Sequence, residues 1–201
     1  MPILESLRQV ESEMFDDHHP LAMEPLAVRE AYAIGYTMLA CVNGYPNETV
    51  KKQLKREIIA LSLPPKFRKT AIEIAINADP DVIYQILAVL VEPRHKYIFM
   101  LDLYEYAFQD QKVTEQEQEF LLLFERLLQL NAHDLHFVRG FRLAMLKKDA
   151  ELASKVVKEA ISCGLTIPFK ELHYFLKSFE YWKHEVPKEK ETTSAYRSKV
   201  D

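Results

Sequence analysis

One helix–loop–helix pattern occurs twice in this chain, and that repetition constrains its fold more than any other feature. Residues 33–63 pass through Asn43-Gly44-Tyr45-Pro46-Asn47-Glu48, and residues 100–130 through Asp110-Gln111-Lys112-Val113-Thr114-Glu115. Ala40 and Ala107, Asn43 and Asp110, Glu48 and Glu115, Leu54 and Leu121, Leu61 and Leu128, and Leu63 and Leu130 are each 67 positions apart. Self-similarity at a fixed period marks a duplicated supersecondary unit, each copy covering the apolar face of the other. The pattern predicts an all-α, single-domain helical bundle with an internally duplicated helix–loop–helix unit.

Helical spacing recurs along the chain. Ile3, Leu7, Val10 and Met14 share one face of a short helix that ends in Asp16-Asp17-His18-His19-Pro20. A helix from about Pro25 to Val42 follows, then a turn at Asn43-Gly44-Tyr45-Pro46, then a helix capped by Asn47 that Pro64-Pro65 stops. Asp79-Pro80-Asp81 supplies a cap, a first-turn proline and a dipole-complementing acid for a helix running to about Glu92. Residues 98–108 are apolar almost all round, as in a helix enclosed by its neighbours. Thr114-Glu115-Gln116-Glu117 reads as a capping box, opening a helix whose buried stripe is expected at Phe120, Phe124, Leu127 and Leu128. Further helices are expected over 132–146, 149–163 and 168–182, making nine or ten in a domain spanning 1–183. The stretch 184–201 is rich in Lys, Glu, Thr and Ser and is expected to be disordered.

Composition narrows the function classes. Four glycines in 201 residues, against a usual share of about 7%, argue against phosphate-cradling loops and dinucleotide fingerprints. With 26 basic and 30 acidic side chains the net charge is −4, so no global field draws nucleic acid. Cys41 and Cys163 both sit on apolar helical stretches, which points to free thiols in a reducing compartment. The longest apolar run, Ile86 to Val91, is too short to span a bilayer, and Met1-Pro2-Ile3-Leu4-Glu5 has no basic leader. A cytoplasmic location without membrane insertion is expected.

The loop from Asp110 to Glu117 is the strongest site candidate in the sequence. Hard cations such as Ca²⁺ and Mg²⁺ take several oxygen ligands, and Asp110, the turn carbonyls and Glu117 offer them, with Asp102 and Glu105 on the preceding helix as further carboxylates. The central glycine and alternating acids of an EF-hand are missing. The same residues also have an ordinary account: Glu117 as partner of Thr114 in the capping box, Asp110 as a turn residue.

An apolar helix ending in Ala, then Asp-Gly-x-Ile/Val-Ser/Thr-x-x-Glu, then an amphipathic helix resembles the tellurite-resistance TerB-like family. Ala107, Asp110, Val113, Thr114 and Glu117 match that pattern, with Gln111 where the family has glycine. In the first copy Gly44 matches, while Asn43, Pro46 and Val50 replace the Asp, Ile/Val and Glu. The resemblance covers about residues 25–146. It implies an all-helical, internally pseudo-symmetric fold linked to metal and chemical stress, binding a divalent cation and protein partners rather than catalysing. Asp110 and Glu117 carry over as the metal ligands, forming at most one half-site.

Two other chemistries were weighed. His133-Asp134-Leu135-His136 sets two histidines at i and i+3, and Asp16-Asp17-His18-His19 forms a second cluster; either type of cluster suits a transition metal. An HD-type metal-dependent phosphohydrolase would use His133-Asp134, with His95 and Asp149 as partners, although Asp149 follows the pair too soon. A pure, metal-independent interaction adaptor would present Tyr104, Tyr106, Tyr174, Tyr181 and Trp182, or the Phe175, Phe179 and Trp182 face of the last helix, to a protein partner. The reading that follows is a non-enzymatic helical binding or scaffold protein of a stress or defence pathway. If the capping box holds the loop, Thr114→Ala lowers unfolding stability by about 0.5–2 kcal/mol in metal-free buffer; an unchanged urea midpoint would mean the loop is held by other contacts.

Overall fold

The computed structural model describes residues 19–108 and 112–165. Among them are eight α-helices and no strand: α1 Leu26–Cys41, α2 Glu48–Ala60, α3 Phe67–Ile76, α4 Pro80–Val89, α5 Pro93–Phe108, α6 Glu115–Leu127, α7 Ala132–Lys147 and α8 Ala150–Ser162. None is long and apolar enough to cross a membrane. The expected helices at 3–14 and 168–182 and the tail lie outside the described residues.

Five of the eight helices open on a side-chain cap. The side chains of Asn47, Asp79 and Asp149 accept from the backbone N–H three residues on, opening α2, α4 and α8, and Asn131 accepts from His133 and Asp134 at the start of α7. The Thr114–Glu117 capping box is present in full at α6. With glycine scarce, three helix ends use other residues in the left-handed region: Ser62 (φ 54°), Gln129 (φ 49°) and Lys148 (φ 50°). Leu63 N–H then bonds Ile58 C=O, and Asp149 N–H bonds Ala144 C=O, recovering carbonyls that the helix ends leave open.

The bounds of α5 and α6 are those of α1 and α2 displaced by 67 residues at every end, and Ser62 and Gln129 stand in the same relation. α1 packs on α3 and α5 on α7, again matching pairs, while α1 and α5 cross each other at the centre. Residues 97–104 of α5 are almost wholly enclosed, as their apolar run predicts. On α6 the stripe differs from expectation. Leu121, Phe124 and Leu128 are buried, but Leu127 is 44% exposed and Phe120 only partly covered. The face turned inward is rotated toward Leu121 because α6 meets α5 on that side.

The α1–α5 crossing is close because Gly35 lies under the Phe99 ring, and a Cβ there would sit 2.6 Å from Phe99 Cζ. Phe99 cannot swing aside, since it is enclosed between Tyr32 and Phe124 at ring-centroid distances of 5.1 and 5.6 Å. Gly35→Ala is expected to destabilise the fold by about 1–3 kcal/mol through overpacking, even though alanine is the better helix former. Equal or greater resistance to urea would show that the crossing can open without cost.

Candidate functional site

Four polar side chains meet inside this apolar crossing. Asp102 occupies the middle of α5, is 3% exposed, and faces α1. Its Oδ2 accepts from the Tyr32 hydroxyl of α1 and lies 2.8 Å from His19 Nε2, which is itself 3.1 Å from the Tyr32 oxygen. Glu57 of α2 completes the group, with Oε1 3.7 Å from His19 Nε2. That Glu57 oxygen is shielded from solvent and receives no hydrogen bond.

The segment before α1 holds His19 in place. His19 N–H bonds the Ala60 carbonyl at the end of α2, Ala22 N–H bonds the His19 carbonyl, and Leu21 is completely buried. Arg29 reaches the carbonyls of Glu24, Leu61 and Ser62, while Arg94 bonds the Pro20 carbonyl and pairs with Glu24. Two arginines therefore fasten the segment to α2 and α5, and the imidazole enters the core as a consequence. Leu21 N–H donates to His19 Nδ1 at 3.0 Å.

Burial pushes the Glu57 and Asp102 carboxyls each up to about 7. Asp102 is held back toward its charged form by the Tyr32 hydroxyl, and Glu57 by His19, while the negative charges of Asp102 and Glu105 raise Glu57 further. Glu57 Oε1, which receives no hydrogen bond, is the oxygen at which a proton would most relieve the burial of charge. Both carboxyls also line an open cavity of about 200 Å³, shared with Tyr36, Gln53, Arg56, Glu105 and Tyr106. A second, larger cavity of about 330 Å³ adjoins it through Gln53 and Tyr106 and runs to Asn47 and Glu117.

Among the described residues, His19, Glu57 and Asp102 form the one group of three or more potential metal ligands whose donor atoms all lie within 4.8 Å of one another. The sequence-derived sites are distributed differently. Asp110 lies outside the described residues. Glu117 is half-buried, and both of its oxygens are engaged: Oε2 accepts from Thr114 N–H at 2.8 Å and Oε1 from Asn43 Nδ2 at 3.2 Å. The Thr114 hydroxyl in turn donates to Asn43 Oδ1. The two corresponding loops therefore touch, joined by Asn43 in the position equivalent to Asp110. Asp102 does not serve that loop but turns to His19.

The remaining histidine pairings stay apart. His133 and His136 are exposed, Asp134 is buried against Asn131, His95 faces Glu24 at 3.3 Å, and Asp149 caps α8. His19, part of the Asp16-Asp17-His18-His19 cluster, is 2% exposed, because the arginine-fastened segment turns inward. Tyr104, which the adaptor alternative would present to a partner, is fully buried in the core. Comparison with known proteins found no matching family model, no similar curated protein and no similar solved structure.

Glu57 has a signal in the sequence. It falls on the stripe Leu54, Ile58 and Leu61, so an acid stands where the pattern demands an apolar residue. A carboxyl raised on folding, from about 4.3 when unfolded to about 7, contributes stability that is complete below the unfolded value and is lost as pH rises through the folded one. Urea stability is expected to fall between about pH 5 and about pH 8, and less so in Glu57→Gln. Identical pH profiles for the two proteins would show that Glu57 does not hold the proton.

Proposed function

We propose that this chain is a non-enzymatic, TerB-like helical binding protein, built from a duplicated unit, whose interaction surface is set by one divalent cation. The observation that carries this reading is the convergence of His19, Glu57 and Asp102 within 4.8 Å, from a terminal segment and two different helices. A cation there would favour the charged carboxylates, satisfy a Glu57 oxygen that now has no donor, and tie α2 to α5, with the segment before α1 held to Asp102 through His19. Its role is then conformational: it fixes α2 against α5, on which α6 and α7 pack, and so steadies the faces those two helices offer to a protein partner in a stress or defence pathway. Exposed leucines on α6 and α7, among them Leu122, Leu123, Leu143 and Leu146, support a protein partner.

The reading moves the cation away from Asp110 and Glu117. Both Glu117 oxygens already have donors, and a metal at the loop would have to displace the capping box and the Asn43 contact.

Titration calorimetry of metal-stripped protein with Mn²⁺ and Zn²⁺ tests this. One ion per chain is expected, with affinity lower by at least about tenfold in Glu57→Gln and little changed in the Asp110→Ala/Glu117→Ala double variant. The reverse pattern would return the cation to the loop. Wild-type protein that binds neither ion would leave a metal-independent adaptor.

A further inference from the structure

We infer that the cation at this site is an oxygen-seeking one of the Mn²⁺ or Mg²⁺ class, ligated by Glu57 and Asp102 and by water, and that His19 orients Asp102 instead of binding the metal. This rests on the cation reading above and assigns the chemical class of the ion and the role of the imidazole.

One hydrogen bond fixes the imidazole's tautomer. Leu21 N–H points at His19 Nδ1 from 3.0 Å, so Nδ1 presents its lone pair. A neutral imidazole carries one proton, which must then sit on Nε2. Nε2–H faces Asp102 Oδ2 at 2.8 Å. To ligate a metal through Nε2 the ring would have to shift its proton to Nδ1, setting two hydrogens against each other along the Leu21 contact. Turning the ring is blocked as well: the side chain is fully enclosed, its backbone is tied to Ala60 and Ala22, and Leu21 is buried. Histidines that ligate metals show the opposite arrangement, with the distal N–H given to an acceptor.

The carboxylates are placed as ligands are. Asp102 Oδ2 is fixed by two donors, the outer-shell pattern that orients a metal-binding carboxylate. Glu57 Oε1 is buried, lacks any donor, and lies beside the imidazole and Asp102. Both residues line the cavity of about 200 Å³, where, at about 30 Å³ each, several waters fit. Glu105, one turn beyond Asp102, adds a third carboxylate to the same wall. Mg²⁺ and its like take oxygen ligands, keep several waters, and draw one or two carboxylates from the protein. Zn²⁺ favours nitrogen and sulfur, and with the imidazole committed elsewhere this site offers it oxygen alone.

Pulsed electron-paramagnetic resonance of the Mn²⁺-loaded full chain decides the matter, paired with Mn²⁺ titration of His19→Gln, whose amide N–H stands in for Nε2–H. The expected result is no nitrogen coupling from a ligated imidazole, and Mn²⁺ affinity in His19→Gln within about threefold of wild type, well short of the roughly 10–100-fold losses that follow loss of an orienting partner. A coupled imidazole nitrogen in the wild-type spectrum overturns the assignment, whatever the variant does. Binding of Zn²⁺ without Mn²⁺ also overturns it while leaving the cation reading intact. Failure to bind either ion removes both.

Discussion

The crossing of α1 and α5 is the contact on which the rest of the molecule depends. Each helix sends one aromatic ring across to the other: Phe99 onto Gly35, and Tyr32 onto Asp102. These positions correspond at the 67-residue offset, and the two contacts differ in chemistry. Where Phe99 meets a glycine, the helices approach through close packing. Where Tyr32 meets a carboxylate, the approach delivers a hydroxyl to a buried charge, and a burial that would otherwise be costly becomes tolerable.

The polar cluster is therefore a local exception within a repeated apolar plan. At the same offset, Tyr32 and Glu57 correspond to Phe99 and Phe124, whose rings pack together at 5.6 Å in the second half. One half closes its core with two aromatic rings, and the other with a hydroxyl and an acid that need a third party. His19 supplies part of that need from outside the repeat, and Glu57 Oε1 accepts no hydrogen bond. A chain selected only to fold would gain by replacing such a group with an apolar one, since buried charge networks rarely raise net stability.

Much of the architecture could be read from residue order because its causes are local. Caps at Asn47, Asp79, Thr114, Asn131 and Asp149 act over three residues, and prolines and the helical period act over a turn. The error at Leu127 was of another kind: α6 has more apolar positions than one face needs, and only its contact with α5 chooses Leu121 in its place. The site was half legible. Asp102 and His19 stood out as an acid in an apolar helix and as part of a polar cluster, yet they were assigned to different places, because 83 residues separate them.

The order of the amino acids by itself determined that the described chain is helical, where the capped helices begin, and the recurrence at 67 residues, since each follows from interactions within a few positions of the chain; the break between Val89 and Pro93 was placed differently. Only the tertiary structure decided that His19 turns inward, that one Glu57 oxygen is shielded from water, and that both arrive beside Asp102. The reason is physical: the energy of a buried carboxyl and the proton position on an imidazole depend on what lies within about 4 Å, and for these groups that company comes from segments far apart in the chain.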